Sequence, residues 1–154
     1  MLRRGFTMVE LLVVIAIISV LSTLGVANFR SSRLKARDVE RKSNLVAVAK
    51  SLEAYVNDHS SYPLSSLEGL ILCQPATNTT CSWGSAFTDG LSNYMTTLPA
   101  EENPDHSYFY TSNGVTYTLY AYLENPNDPA IIPGLTVSCG QTTCNYQLKS
   151  SNQL

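Results

Sequence analysis

From residue 11 to residue 27 the chain runs seventeen positions without a charge, and only Ser19, Ser22 and Thr23 are polar. As a helix rising 1.5 Å per residue, this run is about 26 Å long, close to the hydrocarbon thickness of a bilayer. Residues 6–29 are therefore expected to form a helix that needs an apolar cover on every side. Further on, the pattern narrows to one face. Leu45, Val48, Ala49, Leu52, Tyr55 and Val56 recur at steps of three and four, with Lys50 and Glu53 off the stripe. That spacing predicts an amphipathic helix lying on a core. The stop signal is "NDHSSYP", where Asn57, Asp58 and Ser60 favour turns and Pro63 disfavours helix at Tyr62. Neither proline nor glycine interrupts residues 29–59. Residues 6–59 thus predict one helix of about 80 Å, with residues 30–59 as its amphipathic half.

Residues 60–154 read as a globular head of mixed character. "LSSLEGLI" predicts a short helix and "CQPATNTTC" a loop. "SYFYTSNGVTYTLYAYLEN" predicts a hairpin about Asn113-Gly114, because a two-residue turn needs positive φ at its central positions. In that register Tyr108, Tyr110, Val115, Tyr117, Leu119, Ala121 and Leu123 share the core face. Phe109, Thr111, Thr116, Thr118, Tyr120 and Tyr122 share the other. "GLTVSCGQTTCNYQL" predicts a second hairpin, which a Cys139–Cys144 bridge would close. The fold class is α+β: a long N-terminal helix packed on a small antiparallel sheet.

Charge sharpens the division. Residues 30–42 hold Arg30, Arg33, Lys35, Arg37, Arg41 and Lys42 against Asp38 and Glu40, a net of +4. Residues 43–154 hold two cations against nine acids, a net of -7. An acidic head of one subunit lying against the basic stretch of another would satisfy both, as would a basic collar at lipid headgroups. Asp38, four residues before Lys42, is expected to form a surface pair with it. Cys73, Cys81, Cys139 and Cys144 form two close pairs beyond the apolar run, and an even count in an exported segment reads as disulfides. Their connectivity stays open.

The chemistry concentrates at the start. A five-residue leader, "MLRRG", precedes the apolar stretch, and Glu10 sits inside that stretch, where a carboxylate is costly. The sharpest change in composition falls between Gly5 and Phe6. "GFTMVELLVVIAIISVLSTLGVANF" resembles the N-terminus of type IV pilins and type II secretion pseudopilins. "LVAVAKSLEAYVNDHSSYP" is similar to the end of the long helix in the major pseudopilin and related pilins. Many members carry proline where this chain has Ala27.

The resemblance implies a type IV pilin-like fold divided into leader 1–5, membrane or filament-core helix 6–29, amphipathic half 30–59 and head 60–154. It implies cleavage between Gly5 and Phe6 by a prepilin peptidase, with Phe6 then N-methylated. Gly5, having no side chain, permits close approach there. The new amine of Phe6 would meet Glu10 of a neighbouring protomer and set the axial register, a known use of buried ion pairs. The expected function is a structural one: the major pilin of a type IV pilus. The alternatives are a major pseudopilin of a type II secretion or DNA-uptake pseudopilus and a minor, tip-located adhesive pilin. The implied partners are copies of the chain, the peptidase, a pilus assembly ATPase and an inner-membrane platform protein. The precursor would wait in the cytoplasmic membrane as a single-pass protein with its head outside, before joining an extracellular filament. A positive-inside count alone would reverse that orientation; the cleavage motif and the cysteines oppose the reversal.

Other chemistry is thin. "ENPND" offers Glu124, Asn127 and Asp128 as oxygen ligands for calcium, which major pseudopilins bind in a comparable loop, but their pattern is unordered. His59 and His106 have no nucleophile organised around them, so no enzyme is expected. The head lacks a basic patch, so it is not expected to bind nucleic acid.

Overall fold

The computed structural model describes residues 5–152, and for residues 23–28 it describes the backbone alone. The leader residues Arg3 and Arg4 therefore lie outside the described residues. Helix α1 (Met8–His59) spans 52 residues without a break. It ends where the turn residues stop it. Ser60 adopts the left-handed conformation at φ 59°, and its N–H donates to the Val56 carbonyl at 2.7 Å. No helix among the described residues is long and apolar enough to cross a membrane. The side chains of residues 23–27, the last part of the apolar run, are not among them.

The head is a set of short antiparallel strands placed against the second half of α1. Strands β1 (Ile71–Gln74) and β2 (Thr79–Cys81) flank a 3-10 turn, and β3 (Phe87–Thr88) pairs with β4 (Asn93–Met95). The largest sheet has the order β5 (Phe109–Ser112), β6 (Tyr117–Ala121), β9 (Tyr146–Lys149), and β7 (Ser138–Cys139) pairs with β8 (Thr142–Thr143). Leu45, Val48, Leu52 and Tyr55 of α1 are buried against Ile71, Phe87, Tyr110 and Leu119. Ala49 and Val56 pack at the margin, so the helix stripe expected from the sequence is the one that enters the core. Two of the buried tyrosines have their hydroxyls paired within the head and helix: Tyr110 donates to the Pro63 carbonyl at 2.6 Å and Tyr108 accepts from Asn44.

Three expectations are corrected. "LSSLEGLI" is not helical. Ser65 bridges Ile71, Ser66 and Leu70 are hydrogen-bonded to each other, and Gly69 turns the chain at φ 76°. A Cβ at Gly69 would lie 2.3 Å from the Phe109 ring, so a packed aromatic closes this turn against helix. The hairpin turn is shifted by one residue. Ser112 pairs with Tyr117, and the turn places Gly114, φ 87°, at its first central position, as a II′ turn asks. Asn113 has ordinary φ, and its side-chain oxygen accepts instead from the N–H groups of Val115 and Thr116. The slip moves the pairing by two residues, so the faces keep their parity and the tyrosines stay inside. Only Val115, now in the turn, is lost to solvent at 68% exposure. Finally, "GLTVSCGQTTCNYQL" splits: its middle makes the small β7–β8 hairpin, while its end joins β6 as β9.

The two faces of α1 should respond differently to truncation. Leu52→Ala, at a fully buried position, is expected to cost about 2–5 kcal/mol. Val46→Ala, 41% exposed, should stay within about 0.5 kcal/mol. Urea denaturation of the full chain in detergent, followed by Trp83 fluorescence, measures both.

Candidate assembly interface

The first helical turns of α1 touch nothing of the head. Phe6 is 80% exposed, and Met8, Val9, Leu12, Val20 and Leu21 are all more than half exposed. At the start of this bare helix, Thr7 is the N-cap. Its hydroxyl oxygen accepts from the Glu10 N–H at 3.2 Å, while its own N–H and O–H both donate to Glu10 Oε2 at 2.9 Å. This is a capping box, and "TMVE" is its sequence signature, a second meaning for Glu10 that the apolar context hid. Both bonds fall on Oε2; Oε1 has no hydrogen-bond partner among the described residues. Gly5, Phe6 and Thr7 precede the helix in non-helical chain.

At the other end of the bare stretch, the basic turns of α1 meet the acids of the head within one chain. Arg41, 4% exposed, lies at the centre. Its guanidinium donates to Asp38 at 2.9 Å, to both oxygens of Glu101 at 2.9 and 3.0 Å, and to Glu124 at 2.6 Å. Arg37 also binds Glu124, and the Lys42 ammonium reaches both oxygens of Asp128 at 2.7 Å. Asp38 is fully buried, and it accepts from the N–H groups of Glu124 and Asn125 at 2.9 and 2.8 Å. The expected Asp38–Lys42 surface pair therefore does not form. Asp38 faces inward and clamps the 124–125 backbone, while Lys42 takes its anion from the same loop.

That arrangement bears on calcium. Glu124 and Asp128 direct their oxygens at Arg37, Arg41 and Lys42, and Asn127 is exposed on the turn. A donor set already neutralised by three protein cations does not fit a calcium ion, which needs six or more oxygens turned toward it. The disulfides lie elsewhere: Cys73 is bonded to Cys81, tying β1 to β2, and Cys139 to Cys144 around β7–β8. His59 is paired with Asp89 at 2.8 Å and stacks on Tyr55, while His106 lies beside Tyr122. The two histidines thus serve separate parts of the head.

The clamp should be acid-sensitive. Burial pushes the Glu124 carboxyl up, but hydrogen bonds and charge from Arg41 and Arg37 outweigh it and hold the group below its usual range. The Lys42 hydrogen bond, helped by the Ala130 N–H, does the same for Asp128. Carboxyls depressed in the folded state stabilise it above their unfolded pKa and lose that contribution as pH falls through the folded value. The melting temperature of the full chain should therefore drop as pH falls below about 4. Lys42→Ala should flatten that dependence, and a pH series of thermal melts reads both.

The prokaryotic N-terminal methylation motif matches residues 1–26. The chain is 39% identical over 71 residues to type II secretion system core protein G of Escherichia coli (strain K12), covering 45% of this chain and 49% of that protein. It is 43% identical over 61 residues to core protein G of Klebsiella pneumoniae, covering 40% and 44%. It is 32% identical over 60 residues to the type IV major pilin protein PilA of Myxococcus xanthus (strain DK1622), covering 39% and 27%. The chain thus spans about half the length of the secretion relatives and less of the pilin. No solved structure matches it. With a methylation motif at its start, a long helix bare over residues 8–22 and relatives of both kinds, the chain resembles the type IV pilins and type II secretion pseudopilins.

Proposed function

We propose that the protein is a filament-forming structural subunit of the pseudopilin kind, polymerised through its N-terminal helix. The observation that carries this reading is the bare apolar start of α1, set directly after the Gly5–Phe6 bond and holding Glu10 one turn in. One chain offers that surface no cover, so lipid covers it first and identical helices afterwards. A prepilin peptidase cuts after Gly5 and methylates Phe6. The amine of Phe6 then meets the open oxygen of Glu10 on a neighbour, while the other oxygen keeps capping its own helix. Exchange of lipid for helices is nearly neutral in apolar burial, so packing, register and an external motor must drive it. An assembly ATPase and a platform protein in the cytoplasmic membrane supply that drive.

The pseudopilin reading comes first because core protein G matches at higher identity and over more of its length than the Myxococcus pilin. From sequence alone the pilus subunit ranks first; the relatives reverse the order. The second reading, the major subunit of a type IV pilus, draws on the two disulfide-closed loops and on a 124–128 loop unfit for calcium.

N-terminal sequencing of the mature chain should begin at Phe6. Glu10→Gln should leave that cleavage intact and lower the filament yield by about tenfold or more, since a buried pair loses its anion. Electron microscopy and mass spectrometry of filaments sheared from cells that overproduce the chain with its assembly system measure the yield. A mature chain that keeps Met1, or a Glu10→Gln chain that polymerises normally, overturns the proposal. Secretion assays on the deletion strain separate the two readings: loss of an exported enzyme without loss of surface fibres selects the pseudopilus.

A further inference from the structure

The clamp between helix and head leaves charges over, and they are left in a pattern. Of the six cations in residues 30–42, Arg37, Arg41 and Lys42 are matched by acids of their own chain. Lys35 is exposed and forms no ion pair among the described residues. Of the acids, Glu40 is exposed and likewise unpaired there. It stands on the side of α1 that carries Arg37, Arg41 and Asn44, whereas Val39 and Val46, 65% and 41% exposed, lie about 100–120° away around the axis on the Lys35 side. Beside Glu40 opens a cavity of about 310 Å³ between the helix and the 100–103 loop, whose rim also carries Glu102. One side of α1 thus carries an unpaired acid beside an open cavity, and another an unpaired cation beside two exposed valines.

Lys35 and Glu40 cannot serve each other within one helix. Five residues apart, they point about 140° away from one another around the axis. That separation suits a head-to-tail contact between parallel copies, where the donor face and the acceptor face must lie on nearly opposite sides. The axial spacing agrees as well. If the Phe6 amine of one protomer stands beside Glu10 of the next, the copies are offset by four to five residues, about 6–8 Å. The same offset brings Lys35 of the first protomer level with Glu40 of the second.

We infer that the side of α1 around Glu40 and its cavity is a docking surface for the Lys35–Val39 side of a second copy of the chain, and that Lys35 of that copy pairs with Glu40. The inference rests on the filament reading and adds a second register pair to it, outside the apolar core and about 45 Å along the helix from the first. Because the side chains are long and solvated until assembly, the pair selects the offset between copies and does not hold the monomer together.

Charge exchange tests it in cells carrying the assembly machinery. Lys35→Glu and Glu40→Lys should each lower the yield of sheared filaments by about tenfold, with the level and N-terminal cleavage of the chain unchanged; the combined exchange should recover the native yield to within about threefold. Single reversals that assemble normally, or a combined exchange no better than the singles, would overturn the pairing. A native chain that forms no filament at all would instead sink the assembly reading itself, so the two failures are distinct.

Discussion

The governing constraint is one of length. A 52-residue helix extends about 78 Å, and a head of this size covers only its second half. The architecture follows from how the covered and uncovered halves are kept apart. On the covered half the stripe from Leu45 to Tyr55 is sealed by sheet and loops. On the uncovered half the residues from Phe6 to Leu21 are hydrophobic all round and bare. A helix of that composition is stable only where another apolar phase supplies its surroundings.

Between the halves stands the charge network about Arg41, and its role is mechanical. The nonpolar core begins at Leu45; the network lies one turn before it and fastens the 101 and 124–128 loops to the helix. Such a cluster is poor at adding net stability, because desolvating each ion offsets most of the attraction. It is good at fixing geometry, since a carboxylate bonded to two backbone N–H groups and a guanidinium allows little variation in placement. The head is thereby held at one height on the helix, which any helical packing of identical copies requires.

The sequence disclosed the periodic parts well, and the physical reason is plain. Steps of three and four mark the helix stripe whatever its partner, and alternation marks strand faces whatever the exact turn, so a slip of two residues at Asn113 left Tyr110, Tyr117 and Leu119 inside. What stayed hidden depends on contacts distant in the chain. "LSSLEGLI" has helical composition, yet Phe109, some forty residues later, packs over Gly69 and sets the turn. Asp38 reads as a surface residue because nothing near it in sequence reveals that Glu124 and Asn125 will present their N–H groups to it. At the candidate interface, Glu10, Gly5 and Phe6 stood out from local pattern alone. The capping role of Thr7 was equally local, but the anomaly of an acid among apolar residues drew attention from it.

The N-cap has one more consequence. Because Thr7 sets the first helical residue at Met8, the bond between Gly5 and Phe6 lies on non-helical backbone, ahead of the first turn of α1. An enzyme cutting here would meet non-helical chain at the bond itself. Scission would leave the rod's winding untouched, and maturation and helix integrity become independent events.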